Sequence, residues 1–452
     1  MKVAVVHNRD GSGVINRFGQ VCPEKYGEKA IIAVLGALQR AGHDVLLCEG
    51  DKTLLQVLER FMPPDHEGHP TGMVFNMAYG IQGNCRYTHV PAMLEMAGVP
   101  YTGSDPLGHA LALDKVITKD LLRQAGIPTP NYCVMRNEDD PATGVRFPVI
   151  VKPRHESTSF GLQLVTEPAG LRDAVNAIVQ QYQQDALVEE YIDGREVCVA
   201  LLGNGADIEV FPLVEQDFGD RSLRLMTWED KAHKGTVEPQ KICPANISRE
   251  LEERLRETSL ATFHACHCRD YARVDIRIDR AGNPYVLEIN SMASLGLTGS
   301  YVLAAQTAGY TMDGLIARIL DVAHLRYLPL PASVREVAHW PIERLTPRSL
   351  NGQVFDVLGK VQFGGKALRD LLIEAIRYGE RPEVRDRLNQ IVANALDRTH
   401  LQELMEGRAL AHDTMPAESS AFARRWSADH LSPDLVRWLR TVPRFCCHRP
   451  AS

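Results

Sequence analysis

Several features that define membrane proteins or nucleic-acid-binding proteins are missing from this sequence. No apolar run approaches the roughly 20 residues that a membrane-spanning helix needs. The chain carries 50 lysines and arginines against 57 aspartates and glutamates, for a formal net charge of -7. Nucleic-acid binding usually shows as a basic excess. We therefore expect neither a membrane nor a nucleic acid as a partner.

Export signals and a disulfide framework are also missing. The apolar run Val3–Val6 is shorter than the roughly 7–15 residues of a signal-peptide core, and no small-residue cleavage site follows it. We interpret that run as the first buried strand. The ten cysteines lie mostly alone in the chain, so we expect a reducing, cytoplasmic location.

The two commonest phosphate-binding loops are not present either. Gly11-Ser12-Gly13-Val14-Ile15-Asn16 matches only half of a dinucleotide-binding fingerprint, because its last glycine is missing. Gly364-Gly365-Lys366 is followed by alanine where a P-loop needs serine or threonine. Any nucleotide must therefore be bound by other means.

Hydrophobic patterns divide the chain into an α/β (α+β) arrangement. Strands and helices alternate in the first part, which indicates a mainly parallel sheet. The strands are Val3–Val6, Asp44–Cys48 and Met73–Met77, and the helices are Glu28–Ala41 and Pro91–Ala97. From Phe147 strands and turns dominate. Beyond Pro331 the pattern is helical, as in Gly365–Tyr378 and Val384–Leu396.

The segments Arg273–Asp279 and Pro284–Asn290 predict a hairpin that could hold a metal ion. Alternate residues of a strand share a face, so Arg273 and Asp275 point one way, as do Glu288 and Asn290. Magnesium prefers hard oxygen ligands such as these carboxylates. A solvated hairpin is the alternative, but apolar neighbours flank both carboxylates, and an unpaired carboxylate is costly to bury.

Two further segments carry groups suited to a nucleotide. Lys152 ends an apolar strand, and the loop after it, which includes Ser159, is rich in small hydroxyl residues and reaches Gly161. Such a loop can close over phosphate oxygens with its backbone N–H groups. Glu189 and Glu196 flank a turn and could read an adenine amino group and a ribose hydroxyl. A solvated acidic turn is at least as good a reading of the second segment alone.

Taken in order, these segments resemble the ATP-grasp superfamily, and within it D-alanine–D-alanine ligase and its relatives. The resemblance covers about residues 1–327. The motifs that carry it are Tyr101-Thr102-Gly103-Ser104, Leu113-Asp114-Lys115, Pro148-Val149-Ile150-Val151-Lys152-Pro153, Val188-Glu189-Glu190-Tyr191, Arg273-Val274-Asp275 and Leu287-Glu288-Ile289-Asn290. Each motif is common by chance, whereas the ordered set is specific.

The resemblance implies a role for each matching residue. The nucleotide-binding set would be Lys115, Lys152, Glu189, Glu190, Tyr191, Ile192, Glu196 and the mobile-loop Lys231. Asp275, Glu288 and Asn290 would hold two magnesium ions, with Mn²⁺ as a substitute. Arg273, Lys231 and Ser159 would act in catalysis. Glu28, Gly296 and Ser300 would bind the substrates.

The resemblance also implies an ATP-grasp fold, a two-step reaction and a domain division. A carboxylate would attack the γ-phosphate of ATP to give an acylphosphate and ADP, and an amine would then displace phosphate. We expect an N-terminal parallel α/β domain over 1–110, two ATP-grasp subdomains over 111–190 and 191–327, and a helical extension over 328–452. Small-molecule carboxylate and amine substrates and a homodimer are expected.

The chain departs from the family pattern on the substrate side. The family carries a Gly-Glu-Asp-Gly segment before its Tyr-Thr-Gly, and the acidic pair is missing from Phe75–Arg86 here. Ala232 replaces the mobile-loop tyrosine, and the loop after Asn290 reads as longer. We therefore favour an amino-acid or peptide ligase of specialised metabolism. A cell-wall D-alanine–D-alanine ligase, a catalytically silent nucleotide-binding regulator and a phosphotransferase that stops at the acylphosphate are the alternatives.

Overall fold

A computed structural model describes residues 1–9, 11–205, 207–221, 224–226, 230 and 239–327, with the backbone of 362–363 and 366–367. Internal contacts divide the chain into two units, Met1–Tyr327 and Leu328–Ser452. The predicted site falls in the first unit. Lys231 and nearly all of the predicted extension, including Val384–Leu396, lie outside the described residues.

The first sheet has three parallel strands in the order β2-β1-β3. The strands are β1 (Lys2–His7), β2 (Asp44–Glu49) and β3 (Gly72–Asn76), and the helices of this region are α1 (Glu28–Arg40), α2 (Leu54–Phe61) and α3 (His89–Ala97). Val3–Val6 are fully buried. Burial on both faces explains why β1 reads as a continuous apolar run rather than an alternating one.

Two consecutive helices, α4 (Pro106–Leu113) and α5 (Lys115–Gln124), lead to the rest of the unit. Asp114 lies between them and accepts hydrogen bonds from the backbone N–H groups of Val116 and Ile117. Such a cap satisfies amides that have no partner within the helix, so α5 begins at Lys115.

The second sheet has four antiparallel strands in the order β4-β7-β5-β6. Its strands are β4 (Tyr132–Met135), β5 (Val149–Pro153), β6 (Gln163–Val165) and β7 (Ala186–Glu190). Helix α6 (Leu171–Tyr182) packs on one face through Val175 and Ile178, which are fully buried. Polar side chains lie near the ends of β5 and β7.

The third sheet is antiparallel, in the order β11-β10-β8-β12-β13, with β9 beside β8. Its strands are β8 (Gly194–Leu202), β9 (Glu209–Val210), β10 (Val214–Asp217), β11 (Gln240–Ile242), β12 (Tyr271–Asp279) and β13 (Pro284–Asn290). Helix α7 (Arg249–Ala265) packs in one core with this sheet. Helices α8 (Ser300–Thr307) and α9 (Met312–Tyr327) share a core with the first sheet.

The mixed α/β class and the hairpin at Arg273–Asn290 are confirmed. The prediction of a helix from Gly365 is wrong at its start, because β15 (Lys366–Ala367) pairs with β14 (Gln362–Phe363). The Gly-Gly dipeptide between these strands is itself a sequence signal for a two-residue hairpin. Among the helices of the described residues, none combines the length and the apolar character needed to cross a bilayer.

Candidate active site

A cleft lies between the second and third sheets, and the predicted site residues converge on it. Its lining includes six of them, namely Lys115, Lys152, Ser159, Glu196, Asp275 and Glu288. These residues come from α5, from β5 and the loop after it, and from β8, β12 and β13. Residues more than 150 positions apart in sequence therefore share one surface.

The β12–β13 hairpin presents a charged face to this cleft. Asp275 lies directly opposite Glu288, and Arg273 opposite Asn290. The Nε and Nη2 atoms of Arg273 each donate to an oxygen of Asp275 at 2.7 Å, and Asn290 Nδ2 donates to the same carboxylate at 3.1 Å. The strand alternation thus produces the predicted shared face.

Two carboxylates directly opposite each other on a sheet repel, and cations offset that repulsion here. Arg273 neutralises Asp275, and Lys115 Nζ lies 3.5 Å from Glu288 Oε2. Burial disfavours the charge of Arg273, but the Asp275 carboxylate raises the pKa of this guanidinium above its ordinary value. Two adjacent carboxylates and an amide on rigid strands form a donor set that fits magnesium.

The cleft also contains two lysines. Lys115 Nζ donates to the backbone carbonyl of Glu156, and Lys152 Nζ lies 2.5 Å from Glu189 Oε1. Burial lowers the pKa of Lys115, Glu288 opposes that change, and the Lys152 ammonium adds to it. Each ammonium group also lies close to a carboxylate, Lys115 to Glu288 and Lys152 to Glu189. Lysine side chains placed in this way are suited to bind phosphate oxygens.

Glu189 is buried between two lysines instead of lying open to a base. Its Oε2 is 2.8 Å from Lys119 Nζ, and its Oε1 contacts Lys152. Burial alone would raise the pKa of Glu189, but the two ammonium groups lower it below its ordinary value. Both oxygens of Glu189 are paired with lysines in the structure, and its adenine contact stays a prediction.

Lys119 was missed by the sequence reasoning, although a signal for it exists. It lies four residues after Lys115 on α5, so the two side chains share a helix face. Lys119 is fully buried, donates to Thr129 Oγ1 at 2.8 Å, and pairs with Glu189. Burial lowers its pKa to about 8, against the opposing effect of Glu189.

The next residues of the predicted nucleotide set do not line the cleft. Glu190 follows Glu189 on β7 and points to the other face, where it accepts hydrogen bonds from Arg146 at 3.0 and 3.1 Å and from Asn131. The backbone N–H of Tyr191 donates to Pro148 at 3.0 Å. Ile192 is half-buried. Period-two alternation turns the side chain of Glu190 away from that of Glu189, and the nucleotide contact of this segment stays a prediction.

Glu196 keeps its predicted position in the cleft and has a partner that was not predicted. The buried Arg277 lies on β12 opposite Glu196 and donates to its Oε2 at 3.1 Å. Arg277 is two residues beyond Asp275, so strand alternation would have placed it on the same face.

The loop Arg154–Gly161, called the phosphate loop after its predicted role, contributes Glu156, Ser157, Ser159 and Phe160 to the lining of the cleft. Thr158 and Ser159 have φ angles of 54° and 59°, in the left-handed region that side chains avoid. Such residues persist only when their surroundings hold them, and they cluster at ligand-binding sites. Ser159 therefore lies in a strained loop that lines the cleft, in agreement with its expected position.

The predicted substrate residues are spread more widely. Glu28 is exposed at the first position of α1, whereas Glu24, from the segment before α1, belongs to the buried network described below. Ser300 begins α8, and its hydroxyl accepts a hydrogen bond from Gln216 at 3.2 Å. Gly296 accepts from Gly299 in the turn before α8. Lys231 lies outside the described residues.

A histidine contacts the turn that follows the charged face of the β12–β13 hairpin. His109 is fully buried on α4, and its Nδ1 lies 2.8 Å from the hydroxyl of Ser291, the residue after Asn290. Burial lowers the pKa of His109 to about 4, so the imidazole is neutral at physiological pH and can hold this hydroxyl without adding charge.

A two-sheet cleft with opposed carboxylates on one side and paired lysines on the other defines an ATP-grasp ligase. A family model for the D-ala D-ala ligase C-terminus matches residues 121–321. A D-alanine–D-alanine ligase of Carboxydothermus hydrogenoformans is 30% identical over 319 residues, covering 67% of this chain and 97% of that protein. The chain belongs to the D-alanine–D-alanine ligase family, and it is an ATP-dependent, ADP-forming carboxylate–amine ligase.

Two other similarities complete the comparison. The uncharacterized protein y4sG of Sinorhizobium fredii is 59% identical over 331 residues, covering 72% of this chain and 98% of that protein. A crystal structure of D-alanine–D-alanine ligase from Bacillus anthracis complexed with ATP has 21% identity and a TM-score of 0.56, covering 72% and 98% of the two chains. The second likeness concerns the fold.

Proposed function

We propose that this ligase joins an amino acid or a peptide, through its carboxylate, to the amine of a second small molecule in specialised metabolism. The observation that carries the ligase chemistry is the opposition of Asp275 and Glu288 across two strands, in the same cleft as Lys115 and Lys152. The substrate assignment is supported by the segment Phe75–Arg86, which lacks the acidic pair of the family pattern.

Each residue of the cleft has a task in this proposal. When bound, ATP would supply the phosphoryl group that activates the carboxylate, and magnesium would neutralise phosphate charge. Asp275, Glu288 and Asn290 would hold two metal ions, which Mn²⁺ could replace. Lys115 and Lys152 would neutralise phosphate oxygens as charge moves onto them.

The remaining groups would orient the reactants and exclude water. Glu196 would accept a ribose hydroxyl, with Arg277 fixing its orientation. Arg273 would stabilise negative charge that develops on the acyl oxygen, because a preorganised donor costs no reorganisation during the reaction. The phosphate loop with Ser159 would shield the phosphates, and Lys231 would approach them from its own segment. A cytoplasmic homodimer belongs to the same proposal.

A glutamine at position 288 tests the metal assignment. Glu288→Gln keeps the shape of the side chain and removes its charge, so turnover should be abolished while the far-UV circular dichroism spectrum is unchanged. Glu215→Gln is a matched control, since Glu215 is a largely buried carboxylate paired with Arg195 outside the cleft lining. Near-normal turnover of Glu288→Gln would contradict the assignment.

The substrates can be identified by incubating the protein with ATP, magnesium and pools of amino acids and dipeptides. Phosphate release and product masses are measured together. Phosphate release that depends on an added amine supports ligation, whereas turnover independent of amine favours the phosphotransferase, and no turnover favours the silent regulator. D-alanyl-D-alanine as the sole product would favour the cell-wall alternative, which the names of the relatives support.

A further inference from the structure

A buried arginine connects the segment before α1 to the phosphate loop. The side chain of Arg86 is 1% exposed. Its Nη2 donates to Glu156 Oε2 at 3.1 Å and to Glu24 Oε1 at 3.3 Å, and its Nη1 donates to the carbonyl of His155 at 3.1 Å. Its partners lie 62 to 70 positions away in sequence, so this contact network holds distant parts of the chain together.

The contacts of Glu156 extend this connection to the charged face of the β12–β13 hairpin. The carboxylate of Glu156 binds Arg86 and also accepts from Gln184 Nε2 at 2.8 Å. The carbonyl of the same residue accepts from Lys115, and the Lys115 ammonium lies 3.5 Å from Glu288. A movement of Arg86 would therefore shift Glu156 and, through its carbonyl, the Lys115 ammonium.

The geometry of the loop makes such support necessary. Thr158 and Ser159 hold left-handed φ angles, which are unfavourable for these residues and persist only where the surrounding structure imposes them. The loop is fixed just before these residues, at His155 and Glu156, where Arg86 makes its contacts. The Nη2 atom that donates to Glu156 also donates to Glu24, whose carboxylate accepts from the Tyr87 hydroxyl at 2.7 Å as well.

We propose that Arg86 is a positioning residue that holds the phosphate loop and Lys115 in the conformation needed for nucleotide use. This inference rests on the proposed function of the cleft, because it assumes that phosphates bind beneath the loop. Arg86 acts through Glu156 and Lys115 and does not itself contact the reacting atoms. Its attachment to Glu24 ties the loop to the segment that precedes the first helix.

The test needs variants that separate positioning from folding. Arg86→Lys keeps one charge and loses the planar fork that reaches three acceptors. Removing the arginine alone would take the guanidinium charge away from two buried carboxylates. The second variant therefore neutralises the cluster with Glu24→Gln, Arg86→Met and Glu156→Gln together. Replacing a whole buried ion cluster by neutral groups is often neutral or stabilising for folding.

Arg326→Lys is the matched control. Arg326 is a mostly buried arginine that forks onto the fully buried Asp270 at 2.7 and 2.8 Å, and neither residue lines the cleft. Steady-state kinetics with ATP, thermal unfolding and amide hydrogen exchange are measured for all variants. Exchange of the 155–161 amides reports on the loop directly and does not depend on any ligase reaction.

Both Arg86 variants should show kcat/KM for ATP lowered about 100-fold, since a 1 Å misplacement can cost that much. Their 155–161 amides should exchange at least about tenfold faster, with the rest of the chain unchanged. Arg326→Lys should lose stability and keep both quantities. A lower melting temperature with wild-type loop exchange and wild-type KM would overturn the proposal, as would wild-type kinetics in the neutral triple variant. A wild-type protein that turns over no ATP would refute the function of the cleft, and loop exchange would still decide the role of Arg86.

Discussion

Replacement of Lys119 by methionine should change how the stability of this protein depends on pH. Lys119 is fully buried on α5 between Glu189 and Thr129. Burial lowers its pKa from 10.5 to about 8 despite the attraction of Glu189. At about 1.4 kcal/mol per pKa unit, that difference corresponds to about 3 kcal/mol of unfolding free energy.

The sign of the effect follows from proton binding. Between about pH 8 and 10.5 the unfolded chain keeps a proton on Lys119 that the folded chain has lost. Stability rises with pH wherever the unfolded state binds more protons. The contribution of a neutral Lys119 is therefore fully present above pH 10.5, and it is lost as the pH falls through about 8.

The measurement compares the wild type with Lys119→Met by urea unfolding from pH 7 to pH 10.5. Other titrating groups act in both proteins, so the difference between them isolates the lysine. The difference in unfolding free energy, wild type minus variant, should increase by about 3 kcal/mol from the lower to the upper end of this pH range. Thr118→Val is the control, because Thr118 is buried on the same helix and its hydroxyl donates to the carbonyl of Leu111. This variant should keep the pH profile of the wild type. A constant difference between wild type and Lys119→Met would refute the reasoning.

Four further outcomes are expected. Glu24→Gln should impair turnover whereas Glu28→Gln should leave it unchanged, because only the first side chain is part of a buried network; equal effects in steady-state assays would contradict this. Arg273→Lys should lower kcat about 100-fold with little change in KM for ATP, because lysine cannot fork across a carboxylate; a change confined to KM would count against it. Ser291→Ala should raise the magnesium concentration for half-maximal turnover roughly tenfold, since groups that orient metal ligands have effects of that size; an unchanged magnesium titration would exclude that role. A chelator should stop turnover, and added magnesium should restore it.

The sequence predicted those parts of the site that depend on local periodicity. Arg273 and Asp275 share a face because strands alternate with a period of two, and so do Glu288 and Asn290. A β-bulge next to Asp275 shifts the register that the turn sets, and this shift, which the sequence did not predict, places Asp275 opposite Glu288. The same rule, applied to the pair Glu189 and Glu190, would have kept one of them out of the cleft. The fold class followed from alternating elements and from an ordered set of motifs.

The parts that were missed depend on contacts between distant segments. No local sequence pattern predicts that Arg86 contacts Glu24 and Glu156, because the burial of an arginine depends on packing and on partners far away in the chain. Glu28 was predicted from the family resemblance alone, and its side chain is exposed, whereas Glu24 of the preceding segment joins the buried network. Such choices require the three-dimensional arrangement, since two nearby carboxylates in sequence look alike.

The opposed carboxylates of the hairpin already have counter-ions from the protein itself. Arg273 neutralises Asp275, and Lys115 lies beside Glu288. We therefore expect a bound metal ion to be needed for the reaction and not for the stability of the fold. The metal-free protein should therefore be as well folded as the metal-bound protein. It can then be purified with a chelator and stored in an inactive form. The reaction could then be started by a single addition of metal, with no folding phase ahead of the first turnover.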